Sequence, residues 1–198
     1  MQNRPRRCAA VAVTLLVVLA AAPRAALSQA EDLPPERQVP ILARALAYDE
    51  NLRNRAGDEL VLAVLSKAGN HASDKAADAV SHALQGLVGI KVQGIPLRAT
   101  RLSFTTAAAL GDAIHSQGID ALYVAPGLES DLASVVGVTR QHHVLSLGSR
   151  EDQITKGGVS LGVFLVEGRP TIYVNLSASK AEGAAFSSDL LRLANVVR

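Results

Sequence analysis

A chain of 198 residues with 20 Lys and Arg, 18 Asp and Glu, one cysteine and 3% aromatic residues excludes several classes at once. It carries no basic stripe of the kind nucleic acid requires, and three Tyr and three Phe are too few for a base-stacking platform. One cysteine makes no internal disulfide, so the fold stands on its apolar core; a chain of this length buries about 70% of its unfolded surface.

The first 30 residues read as a secretory signal peptide. Arg4, Arg6 and Arg7 form a positive region and Cys8 to Ala22 an apolar stretch too short for a stable span. Ser28-Gln29-Ala30 offers small residues for cleavage after Ala30. Glu31, Asp32, Pro34 and Pro35 follow, where an anchor would need a stop-transfer pattern. Cys8 precedes the apolar stretch, whereas a lipoprotein cysteine follows it. Cleavage removes four arginines and no acid, so residues 31–198, expected to form one domain without a membrane span, carry 16 basic and 18 acidic residues.

Val39 to Leu52 has apolar residues near a 3.6 period and predicts a first helix, its tail ended by Gly57-Asp58. Leu60 to Leu65 is unbroken apolar sequence, a strand covered on both faces. Ser66 to Ala72 is a loop, and Ser73 caps a second helix bearing Ala77, Val80 and Leu84. Leu97 to Phe104 is a more polar strand near the sheet edge, followed by a helix capped by Thr105 or Thr106 and stopped by Gly118. Ala121 to Ala125 is a third strand, Leu128 to Val136 marks a third helix, and His143 to Leu147 is a fourth strand. Val159 to Val166 and Thr171 to Leu176, joined by Glu167-Gly168-Arg169-Pro170, form a hairpin. After a polar loop, Ser187-Ser188-Asp189 opens a closing helix with Leu190, Leu191, Leu193, Ala194 and Val197 on one face. The expectation is an α/β three-layer sandwich: a mostly parallel sheet, a C-terminal antiparallel hairpin and a closing helix.

Motifs for chemistry are sparse. No phosphate-cradling glycine pattern follows a strand, and Val144-Leu145-Ser146-Leu147-Gly148 has valine where a nucleophile elbow needs glycine. Neighbours His142 and His143, in a strand, point to opposite faces, with His142 exposed and His143 partly covered. His71, His82 and His115 are solitary. No metal site or cofactor is therefore expected. Ligands of open α/β sheets gather at the C-terminal ends of strands. That rule selects Lys67, Asn70, His71, Thr105, Thr106, Pro126, Gly148 and Arg150, with helix starts at Ser73, Thr106 and Leu128 as anion acceptors. The charge run Arg150-Glu151-Asp152 also suits a solvated loop.

Gly157-Gly158 before a strand, Asn175-Leu176 closing the next, and Ser187-Ser188 ahead of Leu190-Leu191-Arg192-Leu193-Ala194 resemble the C-terminal signature of the YfiR-like family, over Asp120 to Arg198. Upstream the likeness loosens: Ala45-Leu46-Ala47-Tyr48-Asp49 stands where members often carry an aromatic-proline pair, and the cysteine pairs of some members are absent. The resemblance implies a periplasmic regulator that binds an inner-membrane signalling protein, such as a diguanylate cyclase of cyclic di-GMP signalling or a sensor kinase, and holds it inactive, with a homodimer as one form. Two other readings stand beside it: a periplasmic small-ligand-binding domain resembling one lobe of a substrate-binding protein, and, third, an exported enzyme, for which no triad or carboxylate pair is visible.

Overall fold

One eight-stranded sheet with helices on both faces organises the computed structural model, which describes residues 32–87 and 89–198. The segment expected to be a signal peptide, with its expected cleavage site and Cys8, lies outside the described residues. The sheet is built around β1 (Leu60–Lys67), which pairs in parallel with β3 (Ile95–Phe104) on one side and β4 (Ala121–Val124) on the other. Beyond β4 come β5 (Leu145–Gly148), β6 (Leu161–Val166), β7 (Arg169–Asn175) and β8 (Asn195–Val197); the two-residue β2 (Lys91–Val92) flanks β3 at the far side. All pairings are parallel except β2 with β3 and β6 with β7.

The continuous apolar run of β1 has the cause expected. Alternate side chains face opposite ways, and both faces are covered. Leu60, Leu62 and Val64 join a core with Leu42 and Leu46 of α1 (Pro35–Leu46) and Val80 and Leu84 of α3 (His71–Gln85). Val61, Ala63 and Leu65 join a second core with Leu110 and Ile114 of α4 (Ala107–Gln117) and Val135 and Val138 of α5 (Leu132–Gln141). These are the three layers. A third cluster, around Ile154 of α6 (Glu151–Thr155) and Phe164 of β6, extends the α5 side; the Phe164 and Tyr173 rings meet edge to face at 5.6 Å.

Several boundaries differ from the sequence reading. The first helix starts at Pro35, where a missing N–H costs nothing, and ends at Leu46; Leu52 belongs to a separate turn, α2 (Leu52–Ala56). The second starts at His71 because Asn70, not Ser73, is its cap, accepting from the amides of Ala72 and Ser73. Thr106 caps α4, as one of the two threonines expected. The third helix starts at Leu132, and the fourth strand at Leu145, since His143 has φ 54° and breaks the chain before it; His142 is half-buried and His143 exposed, the reverse of the strand expectation. The hairpin turn is only Glu167-Gly168, both at positive φ, as a two-residue type I′ turn demands.

The C-terminus carries the main correction. The polar loop contains α7 (Leu176–Ala181), capped by Asn175. The closing helix α8 (Ser188–Leu193) is short, and Asn195–Val197 becomes β8, parallel to β7. Two β-branched valines suit an added strand better than another helical turn. Leu190 is the buried leucine; Leu191 is partly buried and Leu193 is 70% exposed.

The N- and C-terminal portions are stitched together. The Glu50 amide donates to the Ala185 carbonyl and the Ser187 amide to the Tyr48 carbonyl, around a bridge between Asp49 and Phe186. Asp49, fully buried, accepts from the amides of Asn51 and Ala185 and pairs with Arg55 at 2.6 Å. Arg55 also donates to the carbonyls of Asp120 and His143, so one buried pair gathers the starts of β4 and β5 under α2.

Candidate functional site

The chain leaves β1 for β3 on one side, then returns to β4 on the other, so the topological switch point lies between the C-terminal ends of β1 and β4. There Lys67 reaches over the Phe104 ring, 5.4 Å from its centre, and its Nζ lies 2.7 Å from Asp131 Oδ2. The hydrogen bond from Lys67, aided by one from Ser130, holds the Asp131 carboxyl below the usual carboxylate range. The Lys67 amide donates to Ser73 Oγ, which fastens the strand end to the first turn of α3. Gly127 presses on that turn: a Cβ there would lie 2.9 Å from Asn70 Nδ2 and 3.1 Å from Ser73 Cβ.

All eight residues selected from the sequence stand along this edge, but not as one constellation. Lys67, Asn70 and Pro126-Gly127 converge at the switch point. His71 is exposed on the first turn of α3 and lines a shallow hollow of about 410 Å³ with Asp74 and Asp78, acids that both pair with Arg101. Thr105 is exposed at the end of β3, and Thr106 is occupied in capping α4. Gly148 is buried at the end of β5. Arg150 points outward to Asp152 at 3.2 Å, which raises its pKa further. Gln153, buried, orders that loop: its Oε1 accepts from the amides of Ser149 and Arg150 and from the Ser149 hydroxyl. The helix starts are thus partly satisfied from within, by Asn70, Thr106 and Gln153.

The most concentrated polar chemistry lies elsewhere. Glu182, just past α7, is fully buried. Its Oε2 accepts from the Ser146 amide at 2.8 Å and from the Ser160 hydroxyl; its Oε1 is met by the hydroxyls of Ser146 at 2.7 Å and Thr139 at 2.6 Å. Burial pushes its pKa up, and the four donors pull against that without reversing it. With no exposed surface, this carboxyl meets no substrate; it binds α7 to α5, β5 and the start of β6. A second buried relay crosses the other face: the Tyr123 hydroxyl donates to Gln38 Oε1 at 2.7 Å, and Gln38 Nε2 to the Val163 carbonyl at 2.9 Å. Burial raises the Tyr123 phenol well beyond its ordinary range. Sequence reasoning missed Glu182, Asp131, Gln38 and Asp49. The available signal was a lone hydroxyl, Ser146, in an otherwise apolar strand, which demands a buried partner. Among the described residues, no cluster of His, Cys, Asp and Glu is arranged to hold a metal ion, and no helix is long and apolar enough to cross a membrane.

Solved structures share the fold, and three of them show the likeness. A conserved domain protein from Vibrio cholerae O1 biovar eltor superposes with a TM-score of 0.58 at 13% identity, over 84% of this chain and 61% of that one. An ABC domain in complex with L-Trp from Streptococcus pneumonia gives 0.54 at 12%, over 83% and 60%. The ligand-free, open structure of a substrate binding protein with adhesive properties from Clostridium difficile gives 0.51 at 16%, over 75% and 58%. The chain thus spans about three fifths of the length of these structures. No curated protein matches the sequence. The signature residues have structural duties that suit their role as a pattern: Gly157 packs where a Cβ would overlap Leu132, and Asn175 caps α7 while its Nδ2 donates to the Ile154 carbonyl. The YfiR/HmsC-like sequence pattern matches residues 48–195, three quarters of the chain, and the chain belongs to that family.

Proposed function

We propose that residues 31–198, released by cleavage near Ala30, form a periplasmic regulatory domain that binds an inner-membrane signalling protein, such as a diguanylate cyclase or sensor kinase, and holds it in its inactive state. The family match over residues 48–195 carries this reading. The switch point supports it, because Lys67, Asp131, Asn70 and Ser73 are committed to one another there. Control of this kind needs a surface that binds one state of the partner better than the other.

A second reading, a small-ligand-binding domain, draws on the likeness to an L-Trp complex and to a substrate binding protein. Crosslinking tagged residues 31–198 in cells, with mass spectrometry of membrane extracts, separates the two. Enrichment of one inner-membrane protein bearing a periplasmic domain and a cytoplasmic cyclase or kinase domain supports the regulator. Recovery of the chain alone, or as its own dimer, with a saturable thermal shift on adding amino acids, favours the ligand reading.

A further inference from the structure

A broad concavity lies away from the strand ends, between α1 and β2. Its volume is about 530 Å³, and it is walled by Pro40, Ile41, Arg44 and Ala47 on one side and Leu87, Ile90 and Lys91 on the other, over a floor of Ala43 and Val92. The floor is buried, while Ile90 remains 42% exposed, a large apolar side chain left to water. Charge at this groove has one sign. Arg44 and Lys91 stand among the lining residues, which include no acid, and neither makes an ion pair among the described residues. Arg37, exposed seven residues before Arg44, lies on the same face of α1 two turns earlier. The segment from Gln85 to Gly94 contains no acid at all.

An apolar trough with an unneutralised cationic rim complements an amphipathic helix whose apolar stripe is flanked by Asp and Glu. Pro40 to Ala47 extends about 10 Å along α1 at 1.5 Å per residue, enough to receive two anchors spaced i and i+4 on a docked helix. We infer that this groove is a docking site for an acidic amphipathic helix of the partner. The inference rests on the regulator reading above and adds to it the location and charge of the contact. Like charge would repel a basic helix, and this repulsion supplies selectivity.

The test uses two labelled helical peptides of about 15 residues, both with leucines at i, i+3, i+4 and i+7, one with glutamates on its polar face and one with lysines. Fluorescence anisotropy with residues 31–198 should show saturable binding of the glutamate peptide alone, weakening about tenfold or more between low and high salt. Ile90→Asp should abolish it. The double variant Arg44→Glu with Lys91→Glu should reverse the preference to the lysine peptide, a readout that a merely misfolded variant cannot give. Equal binding of both peptides, or of the glutamate peptide by the charge-reversed variant, overturns the inference. So does occupancy by another class: displacement of the peptide by oleate, binding to anionic vesicles that competes with it, or a dimer that Ile90→Asp dissolves. In the cellular crosslinking experiment, capture of the same membrane protein by wild type and charge-reversed chain rejects the groove and leaves the regulator reading intact. Peptide binding in the groove with no such protein captured keeps the groove and rejects the regulator reading.

Discussion

Ser146 meets Glu182 twice, donating its backbone amide to Oε2 and its hydroxyl to Oε1. The same hydroxyl oxygen accepts from the Ser160 amide at 3.0 Å, so the strand, the next loop and the carboxyl share one set of protons. Thr139 completes the set with a choice: its single proton can go to Glu182 or to the Val136 carbonyl at 3.1 Å. When Glu182 is ionised, the threonine donates to it. When Glu182 is protonated, it donates to Thr139 Oγ1, which turns to Val136. The network therefore serves both charge states, while burial favours the neutral one.

This fixes the sign of a pH effect. A carboxyl with a folded pKa above its unfolded value binds its proton more tightly in the folded state, so its contribution to stability is full below the unfolded value and is lost as pH rises through the folded value. Glu182→Gln removes that dependence. Denaturant melts across the acidic to neutral range should show wild type losing stability relative to Glu182→Gln as pH rises, and identical profiles would refute this assignment. Glu182→Leu strands the Ser146 amide and the Ser146 and Ser160 hydroxyl protons, at about 1–3 kcal/mol for each group left unpaired, while Thr139 still has the Val136 carbonyl.

Asp49 and Arg55 make a different kind of contact, a buried charge pair that joins distant parts of the chain. Removing the carboxylate in Asp49→Ala takes the counter-charge from the largely buried Arg55 guanidinium, which keeps only carbonyl acceptors, and leaves the Ala185 amide without its acceptor. The expected loss is about 3–5 kcal/mol, because an unpaired buried charge costs far more than a pair contributes. Hydrogen exchange should report it locally: the Ala185 and Ser187 amides speed up before those of β1. Uniform loss of protection across the sheet would show that the stitch has no separate identity.

The α/β layers were legible because β1 is an unbroken apolar run, α3 and α4 carry a helical period and a turn signal marks the hairpin, with Thr106 and Gly118 as punctuation. The end of the chain was not. Leu190, Leu191, Leu193, Ala194 and Val197 fit a helical stripe, yet Val196 and Val197 are drawn into pairing beside β7, a tertiary gain that local periodicity does not encode. The strand-end rule placed Lys67 and Asn70 at the switch point but not Asp131, which lies 64 residues from Lys67 in sequence. Nor did it reach Glu182, since a single acid in a polar stretch reads as surface until its three hydroxyl partners are brought round it.

The corrected C-terminus is tested by truncation. Leu190→Ala should cost about 2–5 kcal/mol, as for other fully buried leucines, whereas Leu193→Ala on the same helix should change stability by less than about 0.5 kcal/mol. Leu191, half-covered, should fall between them. Urea melts of the three variants rank the positions, and a loss at Leu193 equal to that at Leu190 would restore the longer helix in place of β8.

Lys67 and Asp131 offer the most local test of the switch point. The lysine hydrogen bond is the leading cause of the low Asp131 pKa, with Ser130 second. In Lys67→Met, the Asp131 carboxyl carbon, followed by NMR, should titrate at higher pH than in wild type while remaining somewhat depressed by Ser130. Both side chains are partly open to solvent, so the melting temperature should scarcely move. The two readouts together matter: a shifted titration with unchanged stability identifies a pair that sets the charge of the crevice rather than holding the fold. An unshifted titration would mean that Lys67 spends its time elsewhere and that the crevice between β1 and β4 is open to an anion after all.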